Sequence, residues 1–121
     1  MNKIAFIFTK SPYGNSIGKA GLDVILSISS FTEDIALFFI GDGVLQIYHK
    51  QNTKNFLLNN YNISFNILKL CNIKNYYICS KSLKNLGMEN NKKNNWILPI
   101  EIINPLIWKK KISDYDIIIN F

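Results

Sequence analysis

The sequence contains no arginine, one histidine and two cysteines among its 121 residues. Cys71, Cys79 and His49 together cannot supply the four ligands of a usual zinc site, so no metal site is expected. The chain is long enough to bury most of its apolar surface without disulfides or metal. We therefore expect one domain over residues 1–121, with a single core.

Long apolar runs are also absent. The segment Ile4–Phe8 is far shorter than the apolar region of a signal peptide. The stretch WILPIEIINPLIW, residues 96–108, contains Glu101 and two prolines and is too short to span a bilayer. The sequence thus predicts a cytosolic protein in a reducing compartment, with no membrane partner.

The basic residues are all lysines, 14 of them, and they give a net charge of +6. Lysine occurs beside many Asn and Ile residues, and all three have AT-rich codons, so genomic base composition explains the charge. Arginine, the better reader of bases and phosphates, is missing. Direct contact with nucleic acid is not expected from charge alone.

Strand-like and helix-like segments alternate along the chain. Helical spacing of apolar residues starts at Ile17, Val44–Tyr48 suggests a short helical turn, and residues 56–70 form a helical face that the asparagines could divide in two. Apolar strands separated by helices predict a three-layer α/β sandwich around a five-stranded, mainly parallel sheet of flavodoxin-like topology. The strands are expected at residues 3–9, 34–40, 73–79, 97–103 and 114–121.

Two helix ends carry capping signals. Asn104 and Pro105 suit the N-cap and first helical position of the last helix, and Lys109–Lys111 suit its C-terminal end. Gly87 suits the position just after a short helix over residues 82–86. A polar loop is expected over Met88–Asn95.

Three loops qualify as a binding or catalytic site because they follow parallel strands. They contain Tyr13, Asp42 and Cys79, although Tyr13 and Asp42 could equally serve turn geometry. The first loop lacks the spacing of a phosphate-binding loop, and GDG at residues 41–43 lacks the third glycine of a dinucleotide site. No cofactor is therefore predicted.

Cys79 is the candidate nucleophile. It lies between a strand and a helix, where backbone N–H groups and Lys81 would stabilise a thiolate. The competing interpretation is a thiol packed as a small apolar residue, since no base is placed against it by sequence. Cys71 is expected in the core, and His49 in a solvated or packed position.

Four segments resemble known proteins: IAFIFTKSPYGNSIGKAGLD, DIALFFIGDGVLQ, YYICSKSLKNLGM and the terminal YDIIINF. Together they resemble the TusC (DsrF-like) branch of the DsrE/DsrF/DsrH family, collinearly over nearly the whole chain. The resemblance implies a five-stranded, mainly parallel sheet and a hexamer, two copies each of TusB-, TusC- and TusD-like subunits. That complex relays persulfide sulfur to a downstream acceptor protein, toward 2-thiolation of the wobble uridine of tRNA.

The resemblance also bears on Cys79, which stands where the D subunit carries its essential cysteine. It implies a mainly structural role for this chain within a sulfurtransferase complex. Direct contact with tRNA is not expected. Two alternatives stay open. One is a small sulfurtransferase that uses Cys79 as persulfide carrier, and the other is a flavodoxin-like ligand-binding module.

Overall fold

The computed structural model describes residues 3–11, 17–31, 34–48, 68, 71, 73–88 and 96–121. Several sequence predictions lie outside these residues: the position of Tyr13, the position of His49, most of the predicted helix at 56–70, and nearly all of the predicted loop at 88–95.

Five parallel strands form one sheet, as the sequence predicts. Their cores are apolar on both sides, and residues of β1, β2 and β3 are almost all buried, which is typical of parallel sheets covered on both faces. The strands are β1 Ile4–Phe8, β2 Ile35–Phe39, β3 Asn75–Cys79, β4 Glu101–Ile103 and β5 Ile117–Asn120.

The strand order is β4-β3-β2-β1-β5. The connections from β1 to β2, from β2 to β3 and from β3 to β4 each move one strand in the same direction across the sheet. The connection from β4 to β5 runs the opposite way and returns past β1. The expected three-layer α/β fold with a parallel sheet is confirmed, but this order differs from the flavodoxin order 2-1-3-4-5. Local sequence periodicity identifies strands and does not encode which strands are neighbours.

Helices cover both faces of the sheet, and the direction of each crossover determines the face on which its helix lies. The helices are α1 Ile17–Ile28, a 3₁₀ helix Gly41–Ile47, α2 Ser80–Asn85 and α3 Pro105–Ile112. Leu22 and Ile25 of α1, Val44 of the 3₁₀ helix and Leu83 of α2 pack into one core with Phe6 of β1. No helix within the described residues is long and apolar enough to cross a membrane.

The opposite face carries a smaller core against α3. Ala5, Ala36, Phe38 and Tyr77 of the sheet pack there with Trp108 of α3. The Phe38 ring meets the Trp108 ring edge-on, with 5.0 Å between centroids. Because α3 belongs to the connection that returns past β1, right-handed crossover places it on this side, opposite the other described helices.

Both predicted caps are present. The Asn104 side chain accepts a hydrogen bond from the backbone N–H of Ile107 at 2.9 Å, and Pro105 is the first helical residue. At the end of α2, Gly87 has φ +71°, and the N–H groups of Gly87 and Met88 bond the carbonyls of Lys84 and Leu83. This is the Schellman arrangement that glycine favours.

The fourth strand is shorter than predicted. Residues 97–100 do not join the ladder, and only Glu101–Ile103 pairs with β3. Pro99 lacks the N–H that a ladder needs, and the N–H of Ile97 donates instead to the carbonyl of Ile47. This segment therefore packs against the 3₁₀ helix, with the Trp96 ring 5.5 Å from that of Tyr48.

Candidate functional site

The carboxyl ends of the parallel strands meet at one edge of the sheet, as expected. The backbone N–H of Gly41, after β2, donates to the hydroxyl oxygen of Ser82 in α2 at 2.8 Å. Ser82 is buried, so this bond fixes the loop after β2 against the helix that follows β3. Two of the three predicted loops are thereby brought together.

Backbone geometry accounts for the two glycines of the GDG sequence. Gly41 has φ +59°, which favours glycine, and a Cβ on Gly43 would lie 1.9 Å from the carbonyl oxygen of Phe8. The 3₁₀ helix can therefore begin in direct contact with the end of β1. Asp42 between the two glycines is exposed.

The loop after β1 is held by Gln46 of the 3₁₀ helix. Its Nε2 donates to the carbonyl oxygen of Lys10 at 2.8 Å, and the Gln46 side chain is fully buried. On the other side of β1, the hydroxyl of Thr9 donates to the carbonyl of Phe121 at 2.8 Å. These bonds fix the start of the loop that leads toward Tyr13, which itself lies outside the described residues.

Cys79 is the last residue of β3 and pairs with Ile103 of β4. It is only 4% exposed and lies in the core beneath α3, with Tyr77 and Trp108. Its side chain makes no hydrogen bond or ion pair with any side chain that the structure describes. Among the described residues no base is placed against the thiol, and its burial leaves no open path to it in this conformation.

Cys79 and Asp42 are associated with different layers of the fold. The 3₁₀ helix that begins beside Asp42, and α2 with Ser82, belong to the core on one face, whereas Cys79 belongs to the core on the other. Lys81, which the sequence offered as a stabilising ammonium, is exposed. Asp42 and Cys79 therefore do not form one site, although both lie at the same edge of the sheet.

A cleft lies beside this edge, between α2 and the start of α3. Its volume is about 620 Å³. Lys81 and Lys84 contribute charge, while Ile102 and Pro105 contribute apolar surface. The remaining lining residues are Ser80, Leu83 and Asn85.

Two tyrosines have perturbed acidity, and neither lies at the carboxyl edge. Burial, with Cys71 adding to the effect, raises the pKa of Tyr76 far above its usual range, and its hydroxyl donates to the carbonyl of Ile73 at 2.5 Å. Burial, followed by the influence of Tyr77, raises the pKa of Tyr115 to about 12. Both groups remain neutral at physiological pH.

Within the described ranges there is no cluster of three or more His, Cys, Asp and Glu side chains that could hold a metal ion. The residues that sequence reasoning missed are Ser82 and Gln46, which organise the loops. Ser82 follows the strand–helix junction by three residues, and a small polar residue there is the only local signal. Nothing local distinguishes Gln46 from a solvated side chain.

Comparison with known proteins gives consistent results at the levels of sequence and fold. The model of the DsrE/DsrF-like family matches residues 2–121. Protein TusC of Buchnera aphidicola subsp. Schizaphis graminum is 49% identical over 121 residues, and Protein TusC of B. aphidicola subsp. Acyrthosiphon pisum (strain Tuc7) is 47% identical, each with full coverage of both chains. The crystal structure of the ychN protein from E. coli superposes with a TM-score of 0.78, at 20% identity and full coverage of both chains.

Proposed function

Because the chain belongs to the DsrE/DsrF-like family, and relatives 47–49% identical over their whole length are named Protein TusC, we propose that it is a TusC-type subunit of a sulfur-relay complex. The complex acts in 2-thiolation of the wobble uridine of tRNA. The chain assembles in the cytosol with TusB-like and TusD-like subunits as a dimer of trimers.

Within this proposal, the chain supports the relay without carrying sulfur itself. In a persulfide relay, an acceptor thiolate attacks the terminal sulfur of Cys–S–SH, the S–S bond breaks, and the donor cysteine leaves as a thiolate. Such an attack requires open space in line with the sulfurs. The burial of Cys79 at 4% exposure, beneath Trp108, is the observation that carries the structural role.

Exposed apolar side chains support the assembly part of the proposal. Phe31 is 84% exposed and Leu106 is 75% exposed, although both are large and hydrophobic. Ile118 on the edge strand β5 is 44% exposed. Large hydrophobic side chains that are this exposed are candidates for contacts with partner subunits.

Co-expression tests the proposal. The chain is produced with TusB-like and TusD-like subunits in cells that lack their own copies, and thiolated uridine in tRNA is measured by mass spectrometry. We expect a stable three-component complex and restored thiolation. If the chain fails to join the complex, or if thiolation is restored without it, the proposal is wrong.

Substitution of Cys79 separates the structural role from the carrier role. We expect the complex with Cys79→Ala to assemble and to restore most of the thiolation, since alanine fits the site and only removes sulfur. Cys71→Ala is the matched control, because Cys71 is half-buried and packs against the other core. Loss of thiolation with Cys79→Ala alone, in a complex that still assembles, would assign Cys79 the role of persulfide carrier.

A further inference from the structure

The cleft between α2 and the start of α3 carries charge that the described residues do not neutralise. Lys81 and Lys84 line it three residues apart on one side of α2, and both are exposed. Among the described residues, neither lysine has an ion-pair partner, whereas Lys111 pairs with Glu101. None of the described residues that line the cleft is acidic.

The other side of the cleft is apolar. Ile102, at the edge of the sheet, and Pro105, at the first turn of α3, form this wall, with Leu83 buried below them. The wall continues in sequence to Leu106, which is 75% exposed, and Ile107, which is 41% exposed. An occupant must therefore present negative charge toward α2 and an apolar group toward α3.

We propose that this cleft binds an extended acidic segment of a partner protein, with an apolar side chain seated against Ile102 and Pro105. The volume of about 620 Å³ lies within the range of about 300–1,000 Å³ seen for ligand sites and admits a few residues of extended chain rather than a folded surface. The positive charges of Lys81 and Lys84 complement the carboxylates of the segment, which makes binding selective and orients the segment along the apolar wall.

Nucleic acid fits the same cleft less well. Binding of single-stranded RNA relies on aromatic faces on which bases stack, and no described residue that lines the cleft is aromatic. Trp108, three residues after Pro105, and Tyr77, three residues before Ser80, are both buried. A peptide with carboxylates and one aliphatic side chain satisfies both walls.

This inference does not rest on sulfur transfer, so its test is independent of the thiolation assays. Two fluorescein-labelled eight-residue peptides serve as probes: one alternates pairs of Glu with Leu, and the other replaces every Glu with Gln. Fluorescence anisotropy with the full chain, alone or in the co-expressed complex, should show saturable binding of the acidic peptide and at least fivefold weaker binding of the neutral one.

Two pairs of substitutions locate the site. Lys81→Glu with Lys84→Glu should weaken binding of the acidic peptide at least tenfold, because both cationic contacts become repulsive. Lys109→Glu with Lys110→Glu is the matched control, since these exposed lysines of α3 change the net charge equally but do not line the cleft. The control pair should change binding less than twofold.

Ile102→Ser tests the apolar wall, because Ile102 lines the cleft, and we expect binding of the acidic peptide to weaken at least threefold. Circular dichroism verifies that each variant remains folded, and a photoreactive group on the peptide maps the contact independently of any substitution. The proposal fails if the two lysine pairs weaken binding equally, if the label falls outside the cleft, or if tRNA rather than the peptide loses binding with the α2 pair.

Discussion

The backbone N–H of Gly41 donates a hydrogen bond to the side-chain oxygen of Ser82 at 2.8 Å, across 41 residues of sequence. Gly41 follows β2 and Ser82 lies in the first turn of α2, directly after β3. Because β2 and β3 are adjacent in the sheet, this single bond joins the two loops at their carboxyl ends. It fixes one wall of the region where α2 meets the 3₁₀ helix.

Ser82→Ala should lower the free energy of unfolding by about 1–2 kcal/mol, because it leaves the Gly41 N–H without its acceptor. Ser113→Ala is the control: its hydroxyl donates to the Lys110 carbonyl on an exposed helix end, so its loss should cost little. Denaturant unfolding of both variants measures the difference. Equal effects in the two variants would contradict the proposed importance of the Gly41–Ser82 bond.

Gly43→Ala should destabilise the chain by about 2–4 kcal/mol, since the new Cβ would lie 1.9 Å from the Phe8 oxygen and 2.4 Å from its carbonyl carbon. Both atoms belong to the backbone of β1 and cannot rotate away. Gly87→Ala serves as the comparison: its φ of +71° is strained for alanine, but nothing lies within 4 Å, so about 1 kcal/mol is expected. Thermal unfolding ranks the two, and a milder effect at Gly43 would be inconsistent with this packing.

The features that the sequence predicted correctly are those with local causes. Asn104 and Pro105 begin α3 because the amide oxygen and the fixed proline φ act within one turn. Gly87 ends α2 because the left-handed position requires a residue without Cβ strain. The buried strands were recognisable because an apolar run without polar alternation can only be covered on both faces.

The features that the sequence did not reveal depend on long-range packing. The burial of Cys79 follows from the return of α3 across the far face of the sheet, which is fixed by strand order rather than by residues near position 79. Residues 97–100 look like a strand but contact the 3₁₀ helix instead. Pro99 has no N–H to donate to the ladder, and the Ile47 carbonyl accepts the N–H of Ile97. Asp42 and Cys79 lie at the ends of neighbouring strands, at the same edge of the sheet, but the Cys79 side chain lies in the layer beneath α3.

The two cysteines should differ in their reaction with a thiol alkylating reagent under native conditions. Cys79 is 4% exposed in the core under α3, whereas Cys71 is half-buried. We expect Cys71 to be modified first and Cys79 to be modified at a similar rate only in denaturant. Peptide mass spectrometry after timed quenching measures both rates. Preferential native modification of Cys79 would indicate that the layer above it opens.

Among the three lysines at the end of α3, Lys111 should matter most for stability. Its ammonium lies 3.9 Å from the Glu101 carboxylate and 4.8 Å from the centre of the Tyr77 ring. Lys111→Gln should therefore cost about 0.5–1 kcal/mol, while Lys109→Gln and Lys110→Gln should be close to neutral. The difference should shrink in high salt, which screens the ion pair. Urea titrations at two salt concentrations measure both effects. If all three variants lose the same free energy of unfolding, only the helix dipole would explain the loss.

Stability should fall at alkaline pH because of the buried phenol of Tyr76. Its pKa in the folded state lies far above the value of about 10 in an unfolded chain, owing first to burial. Above pH of about 10 the unfolded state releases this proton while the folded state retains it, so the free energy of unfolding decreases as pH rises. Below that pH the contribution is fully present.

Tyr76→Phe should flatten this dependence. At neutral pH the variant loses the hydrogen bond to the Ile73 carbonyl and should be less stable by about 1 kcal/mol. Between pH of about 10 and 12 it should lose stability less steeply than the parent chain, because no phenol at position 76 can ionise in the unfolded state. Tyr115→Phe is the comparison. The folded-state pKa of Tyr115 is about 12, so this phenol contributes less than Tyr76 to the loss of stability. The slope of unfolding free energy against pH for Tyr115→Phe should therefore lie between those of the parent chain and Tyr76→Phe. Urea unfolding at several pH values gives the slopes, and parallel curves for Tyr76→Phe and the parent would show that another group causes the alkaline loss.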